Sequence, residues 1–164
     1  MKKAFIIILL VLLLFSGCKK EIDFEKPVTF YYLKPDYAFG SPDSLFSKVQ
    51  VESAGISSQP LLDLYFNGST DESAISPFPA GTKVIRIEKK QDTLILVMSR
   101  NYGSLSDLKL TLANACLYLT CSELTDTSYI QILIDGISTE EDPGILLTPE
   151  SIIFFDQLAA LSAN

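Results

Sequence analysis

The sequence contains no histidine, and this absence removes a large part of enzyme chemistry. A Ser-His-Asp or Cys-His nucleophile pair cannot be assembled within the chain, and neither can a zinc site with histidine ligands. Basic residues are also few: 13 Lys and Arg stand against 20 Asp and Glu, so the formal net charge is −7. Because nucleic-acid binding needs a basic face, the composition argues against a nucleic-acid partner.

The apolar run at the N-terminus is too short to span a bilayer. It covers residues 4–15, and as a helix it would be about 18 Å long, whereas the hydrocarbon core is about 30 Å thick. Lys2 and Lys3 precede it. A short positive region followed by a short apolar region is typical of a secretory signal peptide.

Residues 14–18, Leu-Phe-Ser-Gly-Cys, follow directly and resemble the bacterial lipobox, whose cysteine receives diacylglycerol and becomes the mature N-terminus. The resemblance implies a lipoprotein signal peptide over residues 1–17, lipidation of Cys18 and a lipid-anchored tether over residues 18–27. It also implies a place on the outer face of the cytoplasmic membrane, in a bacterium of Gram-positive type. The alternative is a secreted chain with an incidental cysteine.

The length of the tether limits how far the folded domain can lie from the membrane. Nine residues separate Cys18 from Val28, and fully extended they reach about 30 Å, so we expect the domain to stay close to the membrane. Loss of Lys2 and Lys3 with the signal peptide leaves 11 basic against 20 acidic residues. Anionic headgroups favour Lys19 and Lys20 beside the anchor, whereas they repel the rest of the domain.

The remaining chain predicts one α+β domain over residues 28–155, followed by a tail over residues 156–164. We expect a mainly antiparallel sheet of four to six strands with two helices packed on one face. The hydrophobic content of 48% is ample for a core. Strands are predicted at 28–33, 47–53, 83–88, 93–99 and 129–134, and helices at 60–66 and 104–122. Two short apolar segments follow, at 145–147 and 152–155.

Five segments, taken in order, resemble one known family. They are the helix 60–66 with Gly68-Ser69-Thr70, the run Phe-Pro-Ala-Gly-Thr-Lys-Val at 78–84, the strand end 96–99, the helix segment 112–117 and the strand-turn segment 132–136. Together they are similar to the GerMN domain of spore-germination and envelope lipoproteins. The resemblance implies an α+β domain used in envelope assemblies, in some members linked to sporulation and germination. It implies no catalytic residue, cofactor or metal.

The longest predicted helix carries two apolar stripes. The main stripe comprises Leu105, Leu108, Leu112, Ala115, Cys116 and Leu119, and it predicts the face toward the sheet. A second stripe, formed by Leu110, Leu117 and Cys121, lies on another flank. Since a helix with two apolar faces must cover both, this second stripe predicts a surface for a protein partner or for self-association. The alternative is burial beneath a loop.

Several other groups of residues have both a structural and a chemical interpretation. Ser106 and Lys109 have the spacing of penicillin-recognising acyl enzymes, but a first-turn hydroxyl is the simpler interpretation. The acidic group Asp135, Glu140, Glu141 and Asp142 lacks the spacing of a calcium loop and fits a solvated turn. Cys116 and Cys121 lie on different sides of one helix, which favours two free thiols over a disulfide.

Three functions remain open from the sequence. The first is a non-enzymatic, membrane-anchored interaction module. The second is a binder of a wall or envelope ligand, which would use an aromatic surface drawn from Tyr31, Tyr32, Tyr37, Phe39, Tyr65, Phe66 and Phe78. The third is a small hydrolase that uses carboxylates. An apolar flat patch would favour the first, an aromatic groove the second, and two facing carboxylates the third.

Overall fold

The computed structural model describes residues 27–38, 41–139 and 144–151. The elements that these residues form are β1 Val28–Leu33, α1 Pro42–Leu45, β2 Phe46–Val51, α2 Ser58–Phe66, β3 Val84–Lys90, β4 Thr93–Met98, a 3₁₀ helix Tyr102–Ser104, α3 Asp107–Thr125, β5 Tyr129–Ile134 and β6 Ile145–Leu147. The predicted signal peptide, Cys18, the apolar segment 152–155 and the C-terminal tail lie outside the described residues.

The six described strands form two sheets. β1 pairs antiparallel with β2 in a two-stranded sheet, and the other four follow the order β3-β4-β5-β6. In the larger sheet β3–β4 and β5–β6 are antiparallel, whereas β4–β5 is parallel. The predicted α+β class and mainly antiparallel pairing are confirmed. The sequence does not predict the second sheet or the parallel β4–β5 pair. Parallel pairing of β4 and β5 is possible because the long connection between them contains α3.

Helix α3 packs beside β1 and is buried on nearly all sides. The backbone N–H of Tyr31 donates to Thr120 Oγ1 at 2.9 Å, and Thr29 Oγ1 donates to Glu123 Oε1 at 2.7 Å. Ten α3 residues are buried: Leu112, Ala113, Ala115, Cys116, Leu117, Tyr118, Thr120, Cys121, Leu124 and Thr125. A helix that is apolar almost all round belongs in the interior of a domain, so α3 is the centre of the core.

The start of α3 lies three residues later than the sequence predicts. Ser104 does not cap it; its hydroxyl donates to the Asn101 carbonyl at 2.7 Å and closes the 3₁₀ turn. The N-cap residue is Ser106, in an extended conformation and without a side-chain capping bond. The helix ends at Thr125 because Asp126 takes a left-handed conformation with φ 49°, which commonly ends a helix.

The aromatic residues of the first half of the domain form a core cluster around Tyr65. Its ring centroid lies 5.1 Å from that of Phe30, 5.2 Å from those of Tyr32 and Phe78, and 5.3 Å from that of Phe66. All five side chains are buried. The interpretation of these residues as a ligand-stacking platform is therefore wrong for this cluster, because edge and tilted ring contacts occupy their faces within the core.

Among the described helices, none combines the length and the apolar character that crossing a membrane requires.

Candidate functional site

The predicted partner surface on α3 is not a surface. Leu117 and Cys121 are both 0% exposed and lie in the hydrophobic core, and Leu110 is half-buried against it. Leu117 and Cys121 are thus buried within the hydrophobic core, whereas the alternative interpretation expects burial beneath a loop. The main predicted stripe also needs correction, since Leu108 is 46% exposed. Sequence periodicity identifies both stripes but does not show which of them faces solvent. The burial of each stripe depends on the packing of β1 and the larger sheet, which approach α3 from different sides.

The other predicted chemical groups do not assemble into a site. Ser106 and Lys109 are both exposed at the start of α3, and the Ser106 carbonyl accepts the backbone N–H of Leu110 at 3.2 Å. Asp135 is exposed, while Glu140, Glu141 and Asp142 lie outside the described residues. Among the residues that the structure describes, no cluster of three or more potential metal ligands occurs.

Cys116 and Cys121 are free, buried thiols, as the sequence predicts. Burial raises the pKa of both thiols well above the usual range. Since the thiolate is the nucleophile and the metal ligand, two protonated core thiols are structural and not reactive.

Among the described residues, an apolar surface lies on the outer side of the four-stranded sheet. Along β4, Leu94, Leu96 and Met98 point into the core, and the alternating residues Ile95 and Val97 are half-exposed on the opposite side. Ile95 is opposite Gln131 and Val97 opposite Leu133, and Gln131 is in turn opposite Leu146 on β6. Directly opposed residues share a face of a sheet. We call Ile95, Val97, Gln131, Leu133 and Leu146 the outer face.

A cleft of about 580 Å³ lies over part of this outer face. Its floor is formed by Ile95, Val97 and Leu133, and its far wall by the loop 135–139. The loop turns sharply: the backbone N–H groups of Ile137 and Ser138 both donate to the Ile134 carbonyl, at 3.0 and 2.9 Å.

Gly136 is required in this loop because its φ is 68°, a value that residues with a Cβ rarely adopt. The side chain of Ser138 closes the loop from within, since its Oγ accepts the backbone N–H of Ile134 at 2.9 Å. Hydrogen bonds to both the N–H and the carbonyl of Ile134 therefore hold this wall of the cleft.

One arginine lines the cleft and a second contacts its loop wall. Arg86 lies on β3 directly opposite Val97, so it borders the apolar floor. Arg100 follows β4 and its Nε donates to the Asp135 carbonyl at 3.3 Å, which links the end of β4 to the loop wall. An apolar floor with an exposed guanidinium beside it suits a partner that offers apolar side chains together with a carboxylate or a carbonyl oxygen.

Sequence reasoning missed this face because the run 94–98 is apolar throughout, and such a run predicts a strand buried on both sides. A usable signal was present in the neighbouring strand. In β5, Tyr129 and Gln131 alternate with buried Ile130 and Ile132. This alternation marks a half-exposed strand, and the β4–β5 pairing extends the exposed side to Ile95.

The described residues thus form an α+β domain with an open apolar sheet face. The chain belongs to the Germane family, described as sporulation and spore germination, whose model matches residues 29–140. The predicted GerMN resemblance is confirmed. No curated protein matches the sequence.

A search of solved structures returns matches that include the following two. The tandem GerMN domains of the sporulation protein GerM from Bacillus subtilis match with a TM-score of 0.54 at 15% identity, over 81% of this chain and 49% of that one. The chain thus spans about half the length of the GerM structure. A Clostridium perfringens protein, named as a candidate lipoprotein, matches with a TM-score of 0.43 at 17% identity, over 81% of this chain and 95% of that one.

Proposed function

We propose that this protein is a lipoprotein, anchored through Cys18 to the outer face of the cytoplasmic membrane of a Gram-positive-type bacterium. Its GerMN-like domain binds a protein partner and carries out no catalysis. The family description names sporulation and spore germination, which supports a part in one of these processes, and we infer that the partner belongs to an envelope assembly. The partner surface is the outer face of the four-stranded sheet, in place of the α3 stripe that the sequence predicts.

The single observation that carries the proposal is the exposed apolar character of this face. Leu146 is 51% exposed and Tyr129 is 42% exposed, and between them and Arg86 lie the half-exposed Ile95 and Val97. Contiguous apolar surface rimmed by polar groups is typical of a protein interface. The net acidic charge of the chain discourages casual association and permits a specific apolar contact.

The absence of catalysis is supported by the chemistry of the described residues. The chain has no histidine, and both helix thiols are buried and protonated. Among the described residues that line the cleft, Asp135 is the one carboxylate, so these residues do not form the carboxylate pair that glycosidase chemistry uses.

The test compares two surface variants of the full chain in its native membrane. Leu146→Asp places a charge on the outer face, whereas Leu64→Asp places the same charge on α2, at a leucine of similar exposure, 46%. After detergent extraction and affinity capture, the wild type and Leu64→Asp should retain the same partner, and Leu146→Asp should lose it. Equal retention by both variants would place the partner surface elsewhere.

A further inference from the structure

The free edge of β3 is an unpaired sheet edge in the part of the chain that the structure describes. A two-residue turn, Gln91-Asp92, joins β3 to β4, so Lys90 and Thr93 form the first hydrogen-bonded pair of the ladder. By alternation, the backbone groups of Ile87 and Lys89 point away from β4. Gln59 Nε2 donates to the Val84 carbonyl at 2.8 Å and so covers only the beginning of the edge.

This edge is also the basic part of an acidic domain. Of the eight basic residues that follow Pro27, five lie between positions 83 and 100, where only two acidic residues occur. Arg86 and Lys90 are exposed on the outer side of β3, with Glu88 between them. Glu88 already forms an ion pair with Lys90 at 3.2 Å. On the inner side, Ile87 is half-buried against the core.

The tether leaves the domain close to this edge. Thr29, the second residue of β1, is hydrogen-bonded to Glu123, and Lys89 of β3 donates through Nζ to the Thr125 carbonyl at 2.7 Å. Both strands therefore meet the last turn of α3, at the end of β1 from which the tether extends. Residues 21–25 of that tether read Glu-Ile-Asp-Phe-Glu, a strict alternation of acidic and apolar side chains with the period of a β-strand.

We propose that residues 21–25 dock on the free edge of β3 as an added, parallel strand. Ile22 and Phe24 then share a side with Ile87 and extend the core, while Glu21, Asp23 and Glu25 share a side with Arg86 and Lys90. If the added strand were turned over, Ile22 and Phe24 would lie on the side of β3 that carries Arg86 and Lys90. Docking closes an edge that would otherwise be open to pairing with other chains.

Docking also changes the reach of the domain. With residues 21–25 held on β3, only Lys19 and Lys20 remain between Cys18 and the folded unit, so the reach from the membrane falls from about 30 Å to about 7–10 Å. The docking itself does not depend on the proposed partner or on lipidation, because residues 21–25 and β3 belong to the same chain; only the change of reach requires the anchor at Cys18. A failure of one proposal therefore leaves the other intact.

Hydrogen–deuterium exchange of the full chain, purified in a neutral detergent, tests the docking. The amides of Ile87 and Lys89 should exchange about tenfold more slowly than in a variant whose tether charges are reversed, Glu21→Lys, Asp23→Lys and Glu25→Lys. Adding Arg86→Glu and Lys90→Glu to that variant should restore slow exchange. The matched control reverses three exposed acids elsewhere, Asp36, Asp43 and Glu72, and should leave both amides as slow as in the wild type.

Two results would overturn the docking. One is fast exchange of Ile87 and Lys89 in the wild type, equal to that of the tether variant. The other is protection that requires vesicles containing phosphatidylglycerol, is absent in phosphatidylcholine vesicles and is unaffected by tether reversal. That outcome would mean that the basic edge of β3 binds anionic lipid and not the tether.

Discussion

The Tyr32 hydroxyl donates a hydrogen bond of 3.0 Å to the backbone carbonyl of Tyr65, and the Tyr65 hydroxyl donates one of 2.9 Å back to β1, to the carbonyl of Tyr31. Both rings are at most 1% exposed. This reciprocal pair fixes α2 against β1. It satisfies two polar groups that the aromatic core would otherwise bury unpaired.

Removal of one member of this pair should destabilise the fold measurably. Tyr65→Phe keeps the ring and removes the donor to the Tyr31 carbonyl, so the free energy of unfolding should fall by about 1–3 kcal/mol. Urea denaturation followed by circular dichroism measures the loss. Tyr129→Phe, at a tyrosine that is 42% exposed, is the control and should change stability by less than about 0.5 kcal/mol. Equal losses of stability in Tyr65→Phe and Tyr129→Phe would mean that the reciprocal hydrogen bonds do not stabilise the fold.

The corrected orientation of α3 makes a second prediction. Leu117→Ala should cost about 2–5 kcal/mol, because the side chain is fully buried and its loss leaves a cavity. Leu108→Ala on the same helix should cost no more than about 0.5 kcal/mol, because its side chain is 46% exposed. Thermal and urea unfolding of both variants provide the comparison. A larger loss of stability in Leu108→Ala than in Leu117→Ala would mean that the stripe containing Leu108 faces the core, as the sequence predicts.

Stability should fall in alkaline solution because of the buried thiols. Burial raises the pKa of Cys116 and Cys121 in the folded state, while an unfolded thiol titrates near its ordinary value of about 8.5. The thiols' contribution is therefore fully present below about pH 8.5 and declines above it, by up to about 1.4 kcal/mol per pH unit for each thiol.

Urea unfolding at a series of pH values from about 7 to 9.5, below the ordinary tyrosine pKa of about 10, measures this decline. The double variant Cys116→Ala, Cys121→Ala should be less stable at neutral pH and should lose less of its stability as the pH rises. A decline of the same slope in the double variant would assign the alkaline loss to other groups.

The anchor carries a separate prediction. Cys18→Ala removes the sulfur that accepts the lipid, so the protein should no longer incorporate a labelled fatty acid and should either leave the membrane fraction or persist as an uncleaved precursor. Cys116→Ala is the control and should be labelled like the wild type. Labelling of Cys18→Ala at the wild-type level would contradict a lipoprotein anchored at this residue.

Local patterns predict most of the secondary structure. The polar turn after Lys90 marks the β3–β4 hairpin, and Gly68, with φ 87°, ends α2 where the sequence places its end. The start of α3 could not be read reliably, because Ser104 and Ser106 offer equivalent hydroxyls and only the 3₁₀ turn at Tyr102 decides between them.

The candidate site was less accessible to prediction, because it depends on pairing between distant strands. Nothing local in the run 94–98 distinguishes Ile95 from Leu94, since both are apolar and in a strand. Only the register of β4 against β5 and the position of α3 decide that Leu94 is 0% exposed while Ile95 is half-exposed. The same dependence explains why Leu117 suggests a surface when α3 is considered alone.

The most direct test of the proposed interface is photo-crosslinking in living cells. A photoreactive amino acid replaces Leu146 on the outer face or, as the control, Leu64 on α2, and the anchored protein is irradiated in place. We expect position 146 to form one discrete protein adduct that disappears when Val97→Asp is added, and position 64 to form none. Adducts of equal yield at both positions, or an adduct at position 146 that persists with Val97→Asp in a variant that remains folded, would contradict a partner bound at the outer face.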